Sequence, residues 1–389
     1  MINMNIGLDG SYAILKNNTT EGNYSKIVVD AIAECFPRHK IYLYTPWIEK
    51  RGAATTLATL ANVIIKQPRK TLNKRLWMQW KGVVDELKRH HVHLYHGLAG
   101  RLPLGIGSAR ARSVVTIHSL AYAKYPKDYG WWDRKKRAFN TRQACRLADA
   151  IVTTSEHTRD DLVKLLGIDR ERVHVVYPAV DHRFQADNII DAELAAVRSK
   201  YKLPKRYILV ISSLLEHKNV LAVLQAMKQI KDREIELVLV GGDTDYYSNT
   251  LRPYAERHHL MHRLMHITRA HAGDMASLYH LAEVVVAPSR LEGFGLTVIE
   301  AQACGIPVIT TRDTSQEEAA GDAALFFEPD DIATLTSHLD NVLSDADLRQ
   351  KLIAAGKQNI QRFTHERLAQ ELDTLYHDIL KAKPKEGKR

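Results

Sequence analysis

Short apolar runs alternate with longer helical segments along most of this chain, and this alternation restricts its fold more than any other feature. Strands that alternate with helices predict parallel sheets covered by helices on both faces, an α/β class. The chain has 389 residues, and one hydrophobic core stops growing at roughly 250–300, so we expect two doubly wound domains. The runs typical of strands are Lys40–Tyr44, His93–Tyr95, Val114–Ile117, Ala150–Thr153, Val173–Val176, Tyr207–Ile211, Ile235–Val240, His266–Ile267, Val284–Ala287 and Pro307–Thr310.

The sequence lacks the features of an exported or membrane-spanning protein. No run of about 18 apolar residues predicts a span, and the first residues carry no basic segment followed by an apolar stretch. The three cysteines, Cys35, Cys145 and Cys304, lie in helical segments and form no Cys-x-x-Cys pair. This usage is typical of reduced, buried thiols, so we expect a cytoplasmic protein.

Residues 287–309 combine a strand end, a glycine-rich loop and a helix. Gly293 and Gly295 lie in the loop, and the helical residues begin near Leu296. Glycines let a ligand approach the backbone closely, and the N–H groups at the start of a helix attract anions. The order therefore predicts a phosphate site at the N–H groups of Phe294, Gly295, Leu296 and Thr297.

Two carboxylates flank this loop: Glu292 precedes the helix and Glu300 lies one turn inside it. Carboxylates repel phosphate but accept hydrogen bonds from hydroxyl groups, so the pair predicts a ligand whose diphosphate joins a sugar to a ribose. The structural alternative is that Glu292 only favours the helix N-terminus and that Glu300 is a solvated helix residue. The paired spacing favours the ligand interpretation.

The segment resembles the Glu-x7-Glu signature of retaining glycosyltransferases of glycosyltransferase family 4 (group 1), which have the GT-B fold, and overall the chain is similar to mannosyltransferase members. Further matching segments follow in the family's order: Met4–Gly10, Glu21–Ser25, Thr116–Leu120, Ala148–Glu156, Val175–Asp181, His217–Asn219, Val240–Asp243, Leu278–Tyr279 and Gly321–Leu325.

The resemblance implies two Rossmann-like domains that face each other across a cleft. Residues 1–182 would bind the acceptor and residues 183–365 the nucleotide sugar. Residues 366–389 would form a helix that crosses back to the first domain, followed by a tail. The stretch from Asp181 to about Leu203 has mixed charge and no strand, and we expect it to link the domains.

The resemblance also assigns roles in donor binding. Lys218 and the loop Gly293–Thr297 would contact the diphosphate, and Glu300 would accept hydrogen bonds from the ribose. Glu292 would lie beside the donor sugar, near its 3-hydroxyl. Gly22, before the first helix, would let the backbone approach the diphosphate from the other side.

Catalysis would depend on Lys218, Glu292 and His118, the last at the end of strand Val114–Ile117 and in contact with sugar or acceptor. Family 4 enzymes are described as using same-face attack, in which the leaving phosphate takes the acceptor proton. Lys218 and the helix N-terminus would replace a metal ion. Asp243-Thr244-Asp245 matches a metal-binding motif of another glycosyltransferase fold, but it follows a strand as a turn, and we expect neither metal nor cofactor.

The chain departs from the family pattern at three places. Many relatives have an arginine near the end of strand Tyr207–Ile211, where this chain has Ser212 and Ser213, and His217 stands where an arginine often precedes the lysine. Ser213 remains a candidate donor contact, and a protonated His217 or an arginine of the first domain could replace the missing cation. Ser119 follows His118 where relatives often have an aspartate.

Basic charge is concentrated in the first half of the chain. Residues 50–146 contain 21 Lys and Arg against 4 Asp and Glu, a balance of +17, whereas the whole chain is +10, which leaves −7 for the rest. Such a region is typical of proteins that bind an anionic acceptor or an anionic membrane. The five tryptophans lie in the same half: Trp47, Trp77, Trp80, Trp131 and Trp132.

Within this region, Arg69–His90 has the pattern of a basic amphipathic helix. Such a helix can lie on a membrane surface, or it can pack its apolar side into the first domain, which for this helix is the favoured interpretation. The apolar positions are Leu72, Leu76, Trp80, Val83 and Leu87, and the basic ones are Lys70, Lys74, Lys81 and Lys88.

Nucleic acid is another partner of basic surfaces. The sequence has no zinc-finger spacing, no helix-turn-helix with basic recognition residues and no aromatic-basic RNA signature. We therefore expect no nucleic-acid binding.

These features predict a metal-independent, retaining glycosyltransferase, either free in the cytoplasm or peripheral at the inner face of the cytoplasmic membrane. Its donor would be GDP-mannose or a UDP-sugar, and its acceptor a saccharide or lipid-linked saccharide in polysaccharide or lipopolysaccharide assembly. Two alternatives stay open. One is a soluble transferase for a small sugar acceptor, and the other is a non-catalytic nucleotide-sugar-binding protein.

Overall fold

The structure is a computed structural model that describes residues 3–15, 19–47, 57–68, 74–185 and 190–382. The chain forms two compact units, one made of Met1–Ala179 and Phe363–Arg389 and the other of Val180–Arg362. The sequence interpretation placed the boundaries after residues 182 and 365. Each unit has its own parallel sheet and its own apolar core.

A seven-stranded parallel sheet organises the first unit. Its strands are β1 (Asn5–Asp9), β2 (Lys40–Tyr44), β3 (Val63–Lys66), β4 (Leu94–Gly97), β5 (Arg112–Ile117), β6 (Ala150–Thr153) and β7 (Val173–Val175). Their spatial order is β3-β2-β1-β4-β5-β6-β7. Successive side chains of a strand point to opposite faces, so Val114 and Val115 of β5 enter different apolar clusters.

Helices cover both faces of this sheet. They are α1 (Ser11–Leu15), α2 (Thr20–Cys35), α3 (Lys74–Gln79), α4 (Lys81–Arg89), α5 (Ala121–Lys124), α6 (Trp131–Leu147) and α7 (Glu156–Leu166). Val28 and Ile32 of α2 share one cluster with β1 and β2. Val84 of α4, Cys145 of α6 and Leu162 of α7 belong to the other cluster.

The predicted helix Arg69–His90 is not one helix in the structure. Trp80 separates α3 from α4 with a non-helical backbone (φ −132°, ψ −149°) and is 54% exposed. The interpretation that placed Trp80 on the packed side was therefore wrong, whereas Val83 and Leu87 are buried as expected. Arg69, Lys70 and Leu72 lie outside the described residues.

A six-stranded parallel sheet organises the second unit. Its strands are β8 (Tyr207–Ile211), β9 (Glu236–Val240), β10 (Leu264–Ile267), β11 (Val284–Ala287), β12 (Val308–Thr311) and β13 (Leu325–Phe327), in the order β10-β9-β8-β11-β12-β13. Its helices are α8 (Asp191–Tyr201), α9 (Val220–Met227), α10 (Arg252–Arg257), α11 (Met275–His280), α12 (Leu296–Ala303), α13 (Ser315–Ala320), α14 (Ile332–Ser344) and α15 (Ala346–Asn359).

Helix α8 corrects the prediction that the stretch from Asp181 to Leu203 is a linker. Asp191 and Glu193 lie in the first turn of α8, and Arg198 and Lys200 lie in the last. This is the charge order that the helix dipole favours. The mixed charge that suggested a linker therefore stabilises a helix, and Val197 buries its apolar side.

The last helix, α16 (His365–Lys381), packs on α2 within the first unit. Leu368, Leu372 and Tyr376 of α16 are buried in the cluster that also contains Val28 of α2. Asp373 adds a buried polar contact, 2.9 Å from Nε2 of His39. Of the predicted tail, residues 383–389 lie outside the described ranges.

The cysteines form no disulfide in the structure. Cys145 and Cys304 are buried as expected, but Cys35, at the end of α2, is only half-buried. Among the helices in the described ranges, none combines the length and the apolar character that crossing a bilayer requires.

Candidate active site

The central strands of the second sheet bring two predicted loops to one edge. β8 and β11 are parallel neighbours, with Ile208 opposite Val284. The loops that follow them, residues 212–219 and 288–295, therefore start from the same carboxyl edge, where ligands bind in open α/β sheets. Lys218 of the first loop meets Glu292 of the second, with Nζ 2.7 Å from Oε1.

The Lys218–Glu292 pair lies in a partly shielded place, with the lysine side chain 15% and the glutamate side chain 23% exposed. Ser289 Oγ donates to the same carboxylate oxygen at 2.8 Å, and Ser315 Oγ donates to the backbone carbonyl of Glu292 at 2.8 Å. Glu292 is therefore held by neighbouring side chains. The alternative in which it only favours the helix N-terminus omits these contacts.

The loop that carries Lys218 is fixed by its backbone. Asn219 has a left-handed conformation (φ 55°), and its side-chain amide donates to Pro329 O at 2.8 Å. The Arg290 N–H donates to His217 O at 2.9 Å, and Arg290 also pairs with Asp330. These contacts tie the two loops together and set the position of Lys218. The sequence interpretation assigned no role to Arg290, although this residue lies in the segment 287–309.

Gly295 joins the glycine-rich loop to α12. Its φ of 128° lies in a region that residues with a side chain rarely adopt. A Cβ at this position would stand 3.2 Å from Gln316 Cα and 3.1 Å from Ala319 Cβ. The glycine is therefore required on both grounds. Leu296 and Thr297 lie in the first turn of α12, where N–H groups have no intrahelical acceptor. No side chain at the N-cap accepts from them either.

Glu300 lies in α12 and is 8% exposed, so the alternative of a solvated helix residue is wrong. Tyr279 donates its hydroxyl to Oε2 of Glu300 at 2.7 Å. Burial raises the pKa of Glu300 to about 7, while the Tyr279 hydrogen bond and Arg183 oppose that rise. Near neutral pH the carboxyl therefore carries partial charge, and an incoming hydroxyl that donates to it would favour the charged form.

The serines that replace the expected arginine lie at the end of β8. Ser213 is exposed, and Ser212 Oγ accepts a hydrogen bond from Leu214 N at 3.3 Å in a turn where Leu214 has φ 50°. His217, which was suggested as a substitute cation, is buried. Gly241 closes against this turn, where a Cβ would stand 2.1 Å from Ser212 O.

In the first unit, His118 follows β5 as predicted and is half-buried. Its Nε2–H donates to Leu98 O at 2.8 Å, which leaves Nδ1 as the acceptor nitrogen of the neutral ring. Its ring stands edge-on to Tyr24, with centroids 4.8 Å apart. Burial lowers the pKa of His118, and Glu21 opposes that effect.

A buried polar chain that the sequence interpretation missed lies beside His118. Tyr376 OH is 2.7 Å from His96 Nδ1, and His96 Nε2 is 2.8 Å from Thr116 Oγ1. Thr116 Oγ1 is also 3.3 Å from Tyr24 OH. Burial lowers the pKa of His96 to about 3, so this chain is neutral at physiological pH. A histidine in a buried strand was the only available sequence signal.

Gly22 does not lie before the first helix, and that prediction was wrong. It occupies the first turn of α2, and its N–H donates to the capping hydroxyl of Thr19 at 3.1 Å. The glycine directly after the first strand is Gly10, where a Cβ would stand 2.5 Å from Leu43 Cγ. Its signal in the sequence is Asp9-Gly10 after an apolar run.

Asp243 and Thr244 lie in the loop after β9, and Asp245 begins the helical segment that Thr244 caps. Thr244 Oγ1 accepts from Tyr247 N at 3.0 Å and donates to Leu214 O at 2.7 Å. The Asp243 side chain is 68% exposed and stands 3.8 Å from His266 Nδ1. The middle residue of the motif thus has a structural role of its own.

Comparison with known proteins adds to this geometry. Residues 194–359 match the family model described as glycosyl transferases group 1, and residues 27–184 match the model described as glycosyltransferase family 4. The Escherichia coli O-antigen chain mannosyltransferase B is 27% identical over 285 residues, which cover 72% of this chain and 73% of that protein. The D-inositol 3-phosphate glycosyltransferase of Xylanimonas cellulosilytica is 28% identical over 311 residues, covering 75% and 73%.

Among solved structures, the Anabaena protein HepE in complex with UDP and glucose is similar with a TM-score of 0.73 at 18% identity, over 97% of this chain and all of that one. At this identity the likeness concerns the fold, and two parallel Rossmann-like sheets of the GT-B type are what it shows. Because the two family models account for most of both halves, the chain belongs to the group 1 glycosyl transferases, glycosyltransferase family 4.

Proposed function

We propose that this glycosyltransferase is retaining and metal-independent, and that it moves a sugar from a GDP- or UDP-linked donor to a saccharide or lipid-linked acceptor. The observation that carries the proposal is the contact between Lys218 and Glu292 beside the first turn of α12. A cation, helix amides and a carboxylate in one loop cluster match the chemistry of a diphosphate joined to a sugar.

Negative charge develops on the diphosphate as its bond to the anomeric carbon breaks, and catalysis has to stabilise that charge. Lys218 Nζ would exchange Glu292 for a phosphate oxygen, and the N–H groups of Leu296 and Thr297 would donate to the same group. Glu292 would then be free to accept a hydrogen bond from the donor sugar. These groups supply the positive potential that a divalent cation supplies in other enzymes.

Glu300 and Tyr279 would form the nucleoside end of the site. A ribose has two neighbouring hydroxyls that donate to a carboxylate, and Tyr279 fixes the orientation of that carboxylate. Ser213, exposed at the end of β8, is a further candidate contact for the donor. The backbone of Gly293 and Phe294, in the loop that carries Glu292, is another.

Retention would follow from attack on the face from which the diphosphate leaves. The acceptor oxygen forms a bond to the anomeric carbon, the bond to the phosphate oxygen breaks, and the acceptor proton goes to that oxygen. His118 would contact the sugar or the acceptor, with Nδ1 as hydrogen-bond acceptor because Nε2–H is held by Leu98 O. Its lowered pKa keeps the ring neutral for this role.

The relatives' names support the choice of donor and acceptor. An O-antigen mannosyltransferase favours GDP-mannose and a lipid-linked saccharide at the cytoplasmic membrane, and a neighbour solved with UDP and glucose keeps a UDP-sugar open. The relative that acts on D-inositol 3-phosphate supports the second candidate, a transferase for a small phosphorylated acceptor. The basic first unit suits either acceptor.

The test is transfer in the presence of EDTA from GDP-mannose or UDP-glucose, with a mannose-terminated lipid-linked oligosaccharide or an inositol phosphate as acceptor. NMR of the product gives the anomeric configuration. We expect an α-linked product and a fall in kcat/KM of about 10²–10³ for Lys218→Met and for Glu292→Gln.

Two exposed residues of the second unit serve as matched controls, Lys351→Met and Glu256→Gln. They remove the same charges from exposed positions of α15 and α10 and should leave kcat/KM unchanged. The proposal would be contradicted by a product of inverted anomeric configuration or by loss of activity with EDTA. It would also be contradicted if no nucleotide sugar gave heat of binding in calorimetry. Donor binding without transfer to any acceptor would favour the non-catalytic alternative.

A further inference from the structure

The outward face of helix α6 is unusual in its aromatic content. Trp131 is 54% exposed, Trp132 is 80% exposed and Phe139 is 59% exposed. The two tryptophan rings stand edge to face, with centroids 4.3 Å apart. Single exposed apolar residues are ordinary on protein surfaces, but three large aromatic side chains on one helix indicate a binding surface.

Four exposed cations share this face: Lys135, Lys136, Arg142 and Arg146. At 3.6 residues per turn, they and the three aromatic residues fall within about 140° of the helix circumference. Lys135 Nζ lies 5.7 Å from the centre of the Trp131 ring, so cation and ring form one surface. We call these seven residues the α6 face.

The α6 face carries no acidic residue. α6 has 17 residues, all of them described, and Asp133 is its single acid. Asp133 lies outside the 140° sector and pairs with Arg137, Nε to Oδ2, at 2.7 Å. The positive charge of the face is therefore not compensated from its own helix.

The opposite side of α6 explains how the helix is held. Thr141, Ala144 and Cys145 are buried, and Ala144 and Cys145 belong to the core cluster of the first unit. The fold therefore needs one side of α6 only. The α6 face contributes exposed apolar surface and like charge to the molecule, and neither stabilises the folded state in water.

We propose that the α6 face binds an anionic phospholipid bilayer. Tryptophan rings favour the interface between headgroups and acyl chains, and lysine and arginine near that interface are attracted to anionic lipid. α6 would lie parallel to the membrane with its aromatic residues inserted and its cations among the phosphates. This inference goes beyond the proposed reaction and can succeed or fail independently of it.

The proposed membrane contact lies on α6 and not on Arg69–His90, the segment for which the sequence pattern suggested it. In that segment the apolar residues Val83, Val84 and Leu87 face the core, so its apolar side is occupied. Trp80 is as exposed as Trp131, at 54%, but it stands at a helix break. It therefore provides a matched control of the same residue type and exposure.

The test is sedimentation with vesicles of equal parts phosphatidylglycerol and phosphatidylcholine, compared with vesicles of phosphatidylcholine alone. We expect wild type to bind the anionic vesicles, and Trp131→Ser/Trp132→Ser to bind at least tenfold more weakly. Trp80→Ser should bind like wild type. Thermal unfolding and donor binding of all variants should match wild type, which shows that each variant is folded and separates this test from that of the proposed reaction.

Charge reversal provides a second, independent variant. Lys135→Glu/Lys136→Glu should weaken binding roughly 20-fold or more, since each lysine contributes about fivefold near anionic lipid, and added salt should weaken wild-type binding. The control Lys351→Glu/Lys357→Glu, on exposed positions of α15, should have no effect. Equal binding of wild type and both α6 variants would overturn the proposal, as would tight binding to single-stranded DNA without binding to vesicles.

Discussion

Each unit buries an ionisable side chain beside a tyrosine hydroxyl, and the two pairs differ in what they contribute. In the first unit, Tyr376 OH lies 2.7 Å from Nδ1 of His96. In the second unit, Tyr279 OH lies 2.7 Å from Oε2 of Glu300. The distances are equal, but burial lowers the pKa of His96 to about 3 and raises that of Glu300 to about 7.

Under the proposed function, the contrast separates a pair that only stabilises the fold from a pair that also binds the donor. The imidazole is neutral over the whole physiological range, so its hydrogen bonds cost no buried charge. The carboxyl is close to its titration point, where a ligand hydroxyl can shift it to the charged form. A buried group that stays near its titration point reduces stability and is typical of sites that bind or react.

The largest expected effect is that of Glu300→Gln on stability. A carboxyl whose pKa rises on folding, here from 4.5 to about 7, contributes stability that is complete below pH 4.5 and lost as pH rises through 7. Wild type should therefore lose about 3 kcal/mol of unfolding free energy in the second unit between pH 4.5 and a pH above 7. The variant, which does not titrate at this position, should not show this loss. Urea unfolding at both pH values checks this, with Glu256→Gln as the exposed control.

The same substitution should cost function. The amide that Glu300→Gln introduces cannot carry the charge that the ribose hydroxyls would favour, so the affinity for GDP-mannose or UDP-glucose should fall about tenfold or more, as measured by calorimetry. A variant that gains no stability at high pH yet binds the donor normally would show that Glu300 has no part in the site.

His96→Asn should change the opposite side of the pH profile. A histidine whose pKa falls on folding binds its proton only in the unfolded chain between pH 6.5 and about 3. The stability that depends on neutral His96 is therefore fully present above pH 6.5. It decreases as pH falls, by about 2 kcal/mol at pH 5. In the variant this decrease should become shallower, whereas an unchanged slope between pH 7 and 5 would mean that His96 titrates normally.

The smallest effect is that of the tyrosines. Tyr376→Phe and Tyr279→Phe each remove one hydroxyl from a buried partner and should each lower stability by about 1–2 kcal/mol. Tyr376→Phe should leave donor affinity unchanged, whereas Tyr279→Phe should weaken it because Glu300 loses its orientation. Equal loss of affinity in both variants would remove the distinction between the two pairs.

The sequence predicted the architecture well because strand-length apolar runs and their spacing determine a doubly wound sheet. Ten runs correspond to strands, and the glycine-rich loop before α12 lies where the motif predicts. Val63–Lys66 and Leu325–Phe327 were not predicted, and each is an edge strand with one buried residue. The other two edge strands, β7 and β10, bury equally little but were predicted, so edge position weakens the signal of a strand without removing it.

One long-range pairing and two local helix boundaries account for the main features that the sequence did not reveal. Tyr376 is 280 positions from His96, and no local pattern links them. Trp80 continues an apolar repeat in the sequence but ends a helix in the structure. Gly22 matches a family motif, but it lies in the first turn of α2, where its N–H donates to the hydroxyl of Thr19.

The ion pair between Lys218 and Glu292 has a consequence for selectivity among anions. Lys218 already has a carboxylate partner in the structure, so an incoming anion would have to compete with Glu292. Chloride or a sulfate ion would offer no hydroxyl to the displaced glutamate and would gain little from the exchange. Under the proposed function an activated sugar would satisfy both partners at once, and the site would discriminate against small anions that a bare lysine would attract.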